Sequence, residues 1–347
     1  MEVLLDWRRY MKITAKDIAR EAGVSEATVS IILNNKAGHY RISEKTRQKV
    51  LEIAERYEFT CNPIAVSLAT RKTHTIGLIL PNLVNPFLAN ISTGIEKCAQ
   101  ENEYALLLCN CEENVKQCVK YLDILQKRYV DGILLVLPRE KEVNANQRLV
   151  EAALRKCRVP VILIEHYLQK APCDFMAVDN VKGGYLAAEY LLKKGHTRIG
   201  HIAGEQFTRQ RTCGYLKALK DYGIPMDSGL VMQGDFSIES GYECGKRLLE
   251  QGVTAVFAGN DYMALGVWRA ARELGLRIPE DVSLIGFDDD PVAVVMDVPL
   301  TTVRQPGTTL GKAASEMLVQ KIGEERGTYQ QYYFAPQLIE RSSVAAR

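Results

Sequence analysis

Glu165, Asn260 and Asp288 each lie at or just after the end of a short run of apolar residues. Carboxylate and amide groups form paired hydrogen bonds with neighbouring hydroxyl groups, which is how proteins hold small polyhydroxyl molecules. If the apolar runs are strands of parallel sheets, their carboxyl ends are the edge at which such sheets bind ligands. These residues therefore predict a site that binds a small polar molecule.

The motifs of the common catalytic sites do not occur in the sequence. No G-x-G-x-x-G follows a predicted strand, and the P-loop, G-x-S-x-G and H-E-x-x-H patterns are missing. The five histidines show no metal-ligand spacing. The run Asp288-Asp289-Asp290 is better explained by a ligand contact and solvated acids than by a metal cluster. We expect neither an enzyme nor a bound metal or cofactor.

The composition favours a cytoplasmic globular protein of more than one domain. The chain has 347 residues, 47% hydrophobic and 25% charged, and its nine cysteines include no C-x-x-C pair, which suits reduced thiols. No apolar run reaches the roughly 18–20 residues that span a membrane, and acids and arginines stand where a signal peptide would be apolar. Residues 1–75 hold 13 basic and 9 acidic residues, against 31 and 33 in the remainder, which weakly favours a phosphate-binding N-terminal module.

The N-terminal part of the chain has the residue spacing of helices. Ile18 and Ala22 belong to one apolar stripe, Gly23 interrupts it, and Ser25 is a good N-cap for a second helix. A third helix is predicted from Ser43. Three short helices with a glycine in the first turn are typical of a helix-turn-helix module.

From Thr75 onward, short apolar runs alternate with amphipathic helical stretches. The runs are Ile76–Leu80, Ala105–Cys109, Gly132–Leu137, Val161–Ile164, Arg198–Ala203, Ala255–Ala258 and Ser283–Phe287. Fully apolar runs between helices predict strands buried on both faces, and hence parallel, doubly wound sheets. The alternation restarts near Asp179, which predicts two similar lobes with a ligand cleft between them.

Two segments of the sequence carry a resemblance to a known family. Residues 14–34, TAKDIAREAGVSEATVSIILN, follow the pattern T-x-x-D-[IV]-A-x-x-A-G-V-S-x-x-T-V-S, and residues 73–81 follow T-x-T-I-G-[LV]-I-x-P. Both resemble the LacI/GalR (lactose-repressor) family of transcriptional regulators, and the resemblance extends from about Lys12 to Arg341. It implies an all-α helix-turn-helix head piece and an α/β, periplasmic-binding-protein-like sensor of two doubly wound parallel-sheet lobes.

The resemblance implies that the second helix reads the major groove of double-stranded DNA. Glu26, Ala27 and Ile31 match base-reading positions, where a carboxylate accepts from cytosine and apolar groups touch thymine methyls. The residues implied in positioning the phosphates are Thr14, Ser25, Thr28, Ser30, Asn34 and Arg71. Many family members have arginine in place of Ile31, so we expect this chain to lack their base preference at that position.

A short hinge helix is implied between head piece and sensor. Ala65 and Leu68 match the positions at which paired hinge helices enter the minor groove and a leucine wedges between base steps. Cys61 and Val66 replace a common proline and arginine, which puts one backbone contact in doubt. A helix this short orders only when it is packed, so a ligand that moves the lobes would change DNA affinity through it. The alternative is that this segment is a linker helix that packs on its own domain and does not contact DNA.

The sensor is predicted to bind its effector through six residues that the resemblance and the strand ends together single out. They are Phe87, Glu165, Arg211, Phe236, Asn260 and Asp288. Planar polar groups and aromatic rings suit a sugar, and we expect a sugar effector. A nucleobase effector is an alternative. The two phenylalanines could instead belong to the core, and Arg211 and Asp288 could form a salt bridge without a ligand. A solute-binding protein without a regulatory role is a further alternative, which would leave the N-terminal module unused.

The predicted domains follow from these assignments. Residues 1–11 are a tail, 12–58 the DNA-binding domain, 59–75 the hinge helix and linker, and 76–347 the effector-binding and dimerisation domain. Lobe one takes about 76–177 and 305–334, and lobe two about 178–304 and 335–347. Two head pieces and two hinge helices imply a homodimer on a near-palindromic operator. We expect a repressor that works in the cytoplasm, on the nucleoid.

Overall fold

The structure is a computed structural model of the 347-residue chain. It describes residues 13–33, 42–57, 59, 67, 72–138, 143–165, 168, 171–204, 209–324 and 327–347, with the backbone alone for 143–147. The chain divides into two compact units, Met1–Thr73 and His74–Arg347. Each unit is built around its own apolar core.

Three helices form the N-terminal unit: α1 (Ala15–Ala22), α2 (Glu26–Leu33) and α3 (Glu44–Arg56). Gly23 ends α1 with a left-handed backbone, φ 73°, a conformation that glycine adopts without steric cost. The Lys49 side chain of α3 donates to the Ala22 carbonyl at 3.0 Å, which fixes the end of α1. The helices enclose one buried cluster of apolar side chains: Ile18, Ala19, Ala22, Val29, Ile32, Val50, Ile53 and Ala54.

Lobe one of the second unit is a six-stranded parallel sheet covered by helices. Its strands are β1 (Thr75–Leu80), β2 (Ala105–Asn110), β3 (Gly132–Val136), β4 (Val161–Ile164), β5 (Asp174–Val178) and β11 (Gln331–Phe334). They lie in the order β11-β5-β4-β3-β1-β2, with Gly77 of β1 opposite Leu107 on one side and Ile133 on the other. The helices are α4 (Pro86–Glu101), α5 (Val115–Lys127), α6 (Val143–Lys156) and α12 (Gly307–Lys321).

Lobe two is a four-stranded parallel sheet with an antiparallel strand pair beside it. The sheet has the order β7-β6-β8-β9, from β6 (Ile199–Ala203), β7 (Val231–Gln233), β8 (Ala255–Ala258) and β9 (Ser283–Ile285). The strand pair is β10 (Thr302–Arg304) with β12 (Gln337–Ile339). The helices are α7 (Asn180–Lys193), α8 (Arg209–Asp221), α9 (Ile238–Glu250), α10 (Asp261–Glu273) and α11 (Val292–Val295).

The predicted fold class is confirmed, but five of the strands were not predicted from the sequence. β7, β10 and β12 have three residues each; β9 is as short, but it opens the longer predicted run Ser283–Phe287. β11 reads Gln-Tyr-Tyr-Phe and is mostly exposed at the sheet edge, so it lacks the apolar run by which the other strands were predicted. β5 is fully buried, but a polar residue, Asp174, opens it.

Paired glycines let three pairs of helices pack unusually close. In each pair, a Cβ added to the glycine of one helix would overlap backbone atoms of the other: Gly94 with Gly311, Gly184 with Gly214, and Gly241 with Gly266. The Gly184–Gly214 pair joins α7 to α8, and Gly184 faces the backbone of Arg211. Arg211 is therefore held by backbone contact between helices as well as by its side chain.

Replacing Gly184 with alanine is expected to lower the free energy of unfolding by about 1–3 kcal/mol, because the added methyl group overlaps the Arg211 carbonyl. Alanine in an unhindered helix position would instead stabilise by up to about 1 kcal/mol. Urea unfolding of the purified chain measures the difference. Gly327→Ala is the control, since a Cβ there meets no atom within 4 Å. Equal stability of Gly184→Ala and the parent would contradict this packing.

Within the part of the chain that the structure describes, no helix is both long and apolar enough to cross a membrane. The described histidine, cysteine and acidic side chains likewise form no group of three that could hold a metal ion.

Candidate DNA-binding and effector sites

The helix α2 is fixed at its start by local hydrogen bonds. The Ser25 hydroxyl accepts from the Thr28 backbone N–H at 3.1 Å and contacts the Thr28 hydroxyl at 2.9 Å. Thr14 caps α1 in the same manner, and its hydroxyl donates to Asp17 at 2.6 Å, which lowers the pKa of that carboxyl. Three of the predicted phosphate-contacting residues thus have structural roles at helix N-termini.

The buried side chains of α2 determine which of its residues are accessible. Val29 and Ile32 lie in the core of the unit, at 0% and 2% exposure. The side chains of Glu26, Ala27 and Ser30 are exposed on the other side, and Ile31 is partly buried. An exposed, short-chained surface near the start of a helix is the kind of surface that enters a major groove.

Four predicted DNA contacts lie outside the described residues: Asn34, Ala65, Leu68 and Arg71. The same holds for Cys61 and Val66, where the sequence departs from the family pattern. Their roles stay predictions.

In the second unit, the Arg211 side chain is the centre of a buried polar cluster. Its guanidinium donates to Asn180 Oδ1 at 2.8 Å and to the Gly259 carbonyl oxygen, and it lies 3.5 Å from Asp288 Oδ1. The guanidinium also stacks on the Phe287 ring, 3.7 Å from its centre. Arg211 is only 7% exposed, so its planar charged group is held in one orientation.

Asp288 lies where β9 ends, with a backbone conformation that is rare for residues other than glycine. Its φ is 111°. Its backbone N–H donates to the carbonyl oxygen of Val303, in the strand β10. Gln305 donates to Asp288 Oδ1 at 2.6 Å. The single side-chain oxygen of Gln305, Oε1, is buried and accepts no hydrogen bond from the described residues, so this amide has an acceptor left for a ligand.

Asn260 is joined to this cluster through the backbone. It follows Gly259, whose carbonyl accepts from Arg211. Its Oδ1 caps α10 by accepting from the Met263 N–H at 2.8 Å, and its Nδ2 donates to the Phe236 carbonyl at 3.2 Å. Phe236 is partly buried, packs against the lobe-two core and has a positive φ of 71°. The structure thus brings four of the six predicted effector residues together on lobe two.

The two remaining residues, Glu165 and Phe87, lie on lobe one. Glu165 follows β4 and accepts from the Val178 N–H at 3.0 Å. Val178 and Asn180 belong to the segment in which the chain passes from β5 into α7, so Glu165 and Arg211 bind opposite ends of one crossing segment. Phe87 is 6% exposed and packs in the lobe-one core, and its contact with a ligand stays a prediction.

Three residues of the cluster were missed as site residues by the sequence analysis: Asn180, Phe287 and Gln305. Asn180 follows Asp179, where the alternation of runs and helices restarts, and Phe287 ends the run Ser283–Phe287, so the sequence already placed both near predicted strand ends. Gln305 follows the short strand β10 and precedes a Pro-Gly pair, and nothing in its neighbourhood marks it as polar and buried.

The acids next to Asp288 are neutralised unequally. Asp289 pairs with Arg304 and Arg341, each at 2.6 Å. Asp290 is 3% exposed, and burial, followed by the charges of Asp288 and Asp289, raises its pKa to about 7. The Arg211 cluster therefore lies beside a carboxyl whose pKa is raised to near neutral pH.

Asp290→Asn is expected to be more stable than the parent at about pH 8, with an advantage that shrinks as the pH falls to about 5. The folded chain keeps this proton up to about pH 7, whereas the unfolded chain loses it near pH 4. Stability is therefore lost as the pH rises through that window, and asparagine removes this loss. Thermal unfolding across the pH range measures it, with exposed Asp297→Asn as the control. Parallel pH curves for Asp290→Asn and the parent would contradict the shifted pKa.

Comparison with known proteins identifies both units. Residues 14–62 match the family described as bacterial regulatory proteins, lacI family, and residues 188–344 match a periplasmic binding protein-like domain. The HTH-type transcriptional regulator DegA of Bacillus subtilis (strain 168) is 36% identical over 96% of this chain and 99% of its own. The ribose operon repressor of Escherichia coli (strain K12) is 34% identical over 95% and 99%.

Two solved structures extend this similarity to three dimensions. The lac repressor dimer bound to operator and the anti-inducer ONPF has a TM-score of 0.84 and 28% identity, covering 96% of this chain and 99% of that one. A LacI family transcriptional regulator from Enterococcus faecium with bound ribose has a TM-score of 0.69 and 30% identity, covering 79% and 99%. The predicted relationship is confirmed, and the similar proteins are named as regulators and repressors rather than enzymes. The chain belongs to the lacI family of bacterial DNA-binding transcriptional regulators.

Proposed function

We propose that this chain is a cytoplasmic repressor that binds a near-palindromic operator as a homodimer and is controlled by a sugar, with a ribose-like pentose as the first candidate. The observation that carries the sugar assignment is the buried array of planar polar groups around Arg211. The operator assignment rests on the exposed face of α2.

The proposed reading surface is formed by Glu26, Ala27 and Ile31. Glu26 accepts from a cytosine amino group, and the two apolar side chains contact thymine methyls. Thr14, Ser25, Thr28 and Ser30 contact phosphates on either side. Thr14 and Ser25 also cap helices, so the phosphates that they contact would lie beside helix N-termini, which favour anions.

The proposed effector contacts combine fixed and available hydrogen-bonding groups. Asn180, Gly259 and Asp288 fix the Arg211 guanidinium. In the described part of the chain, Gln305 Oε1 is a buried acceptor that receives no hydrogen bond. Alternating donors and acceptors on planar groups suit adjacent sugar hydroxyls. A ribose operon repressor and a ribose-bound regulator are among the proteins to which this chain is similar.

Effector control is proposed to act through the segments that connect the lobes. Glu165 and Arg211 bind the crossing segment of residues 178–180, and Asp288 binds Gln305, between β10 of lobe two and α12 of lobe one. A ligand that makes different contacts in two lobe arrangements shifts the balance between them. The proposed hinge residues Ala65 and Leu68 convert this shift into altered DNA affinity.

Exposed apolar side chains support the proposed homodimer. Leu107 and Leu108 are 40% and 49% exposed on the edge strand β2, and Val295 of α11 is 78% exposed. A second copy covering these side chains would remove apolar surface from water. Analytical ultracentrifugation should give a dimer, and a monomer at micromolar concentration would contradict the assembly.

Two measurements on the full chain test the proposed function. Selection from a random-sequence duplex library should return a near-palindromic site, and no enrichment over random DNA would overturn the operator proposal. Calorimetry with ribose, xylose, glucose, their phosphates and nucleobases should then give a sugar as the tightest ligand. Binding of a nucleobase and of no sugar would overturn the effector proposal and leave the operator proposal intact.

A further inference from the structure

The edge of lobe one at which the linker enters carries a cluster of positive charge. The last turns of α5 and α6 and the loops after them, residues 126–131 and 155–160, contain five cations and one carboxylate. One of the cations, Lys127, forms an ion pair with Asp123, one turn earlier on α5, at 2.6 Å. The cations are Lys127, Arg128, Arg155, Lys156 and Arg158, and all five side chains are exposed. We call these five residues the linker-edge basic patch.

Hydrogen bonds between the two loops hold the patch together. The Arg158 backbone N–H donates to Gln126 Oε1 at 3.0 Å, which ties the end of α6 to the end of α5. The Ile133 N–H donates to the Pro160 carbonyl at 3.0 Å, which joins the same loops at the start of β3. The charges therefore lie on one continuous, ordered surface.

The loop that follows Lys127 and Arg128 contacts, through Asp131, the residues at which the linker enters the lobe. His74 N–H donates to Asp131 Oδ2 at 2.8 Å, and Asp131 N–H donates to the Thr75 carbonyl at 2.7 Å. The one carboxylate of the two loops is thus engaged by the backbone of the entering chain. Tyr129, between the cations and Asp131, is 78% exposed and presents a phenol of the type that contacts phosphates.

Helix C-termini attract cations through the helix dipole, so lysines and arginines there are not distinctive by themselves. Lobe two has them as well, with Lys193, Lys220 and Arg247 in the last turns of α7, α8 and α9. One feature distinguishes the linker-edge basic patch. The loop that carries Arg128 is hydrogen-bonded, through Asp131, to His74 and Thr75, where the chain enters from the DNA-binding unit.

We propose that the linker-edge basic patch binds the phosphate backbone of the duplex that flanks the operator. The sensor lobe is then a second DNA-binding surface, independent of base sequence. The linker of residues 58–73 spans about 24 Å if it is helical throughout and at most about 55 Å if it is fully extended, which corresponds to roughly 7–16 base pairs of duplex at 3.4 Å each. DNA held by α2 is therefore within reach of this edge.

The test compares an operator-only duplex with the same operator flanked by about 20 base pairs on each side. The operator is the site that the full chain selects from the random library. The test variant is Arg128→Gln/Lys156→Gln/Arg158→Gln. The matched control is Lys193→Gln/Lys220→Gln/Arg247→Gln, which removes the same charge from helix ends of lobe two.

Binding of each duplex is measured by fluorescence anisotropy over a range of salt concentrations. On the flanked duplex, the test variant should bind roughly tenfold more weakly than the parent near 0.1 M salt. Its plot of log affinity against log salt should flatten by about 1 for each lost phosphate contact. On the operator-only duplex the test variant should match the parent, and the control variant should match it on both.

This inference rests on DNA binding by the N-terminal helices, which the operator-only duplex measures by itself. Equal salt slopes for parent and test variant on the flanked duplex would overturn it. Equal weakening of the test variant on both duplexes would also overturn it, since the flanks would then play no part. Weakened binding of a single-stranded RNA competitor, with the flanked duplex unaffected, would assign the patch to another polyanion and reject the proposal.

Discussion

Replacing Arg211 with methionine should raise the dissociation constant of the effector at least about 100-fold, or about 2.7 kcal/mol. The substitution keeps an unbranched side chain on the Phe287 ring but removes three polar contacts at once: those to Asn180, the Gly259 carbonyl and Asp288. Planar, charge-assisted pairing with adjacent hydroxyls is lost with the guanidinium. Calorimetry with the sugar that the parent binds measures this effect.

The same variant should bind the operator-only duplex within about threefold of the parent when no effector is present, because the residues proposed to contact the operator lie in the other unit. Addition of effector should no longer change its operator affinity. Arg209→Met, an exposed arginine one helical half-turn earlier on α8, is the control and should behave as the parent. Full effector affinity in Arg211→Met would show that the Arg211 cluster is a structural salt bridge and not a ligand site.

Loss of Arg211 also leaves acids uncompensated, so stability must be measured beside binding. Asp288 has a nearly buried side chain, and Asp290 and Asp261, both with raised pKa values, lie close to it. Breaking a buried pair by removing one partner costs about 3–5 kcal/mol. Arg211→Lys keeps the positive charge but loses the planar group, so it should retain more stability than Arg211→Met while binding the effector almost as weakly. Recovery of effector affinity in Arg211→Lys would show that charge alone is sufficient.

Replacing Ile31 with arginine should create a preference for guanine at one operator position. Ile31 lies beside the exposed Ala27 and Ser30 on α2 and cannot pair with a base edge. Arginine pairs with two acceptors of guanine, which discriminates against other bases by about 1–3 kcal/mol, or roughly 5- to 150-fold. Competition binding against operators with each base at each position gives the profile of preferences.

An added cation strengthens binding to any duplex, so the measured quantity is the ratio between operators and not the affinity for one of them. Ile31→Leu, which keeps an apolar side chain of the same volume, is the control and should leave the base profile of the parent unchanged. If Ile31→Arg shows the same base profile as the parent, residue 31 does not contact a base. Other residues of α2 would then have to be the ones that contact the bases.

The N-terminal helices could be predicted residue by residue because their determinants are local. Ser25 caps α2, and the left-handed Gly23 ends α1, each directly beside the helix that it specifies. Ile18, Val29 and Val50 each belong to the apolar stripe of their own helix. Local hydrogen bonds and helical periodicity are readable without knowledge of distant contacts. The parallel strands were predictable for a related reason, since burial on both faces leaves continuous apolar runs.

The sequence by itself determined the type of fold, the family and most of the residues at strand ends. Only the tertiary structure decided which of them meet. Arg211 is bound by Asn180, 31 residues away, and by Gly259, 48 residues away. It also decided that Gln305 completes the cluster and that Phe87 belongs to a core. Contacts of this kind arise where the chain crosses between two lobes, and their partners are set by the packing of whole sheets, which no short stretch of sequence encodes.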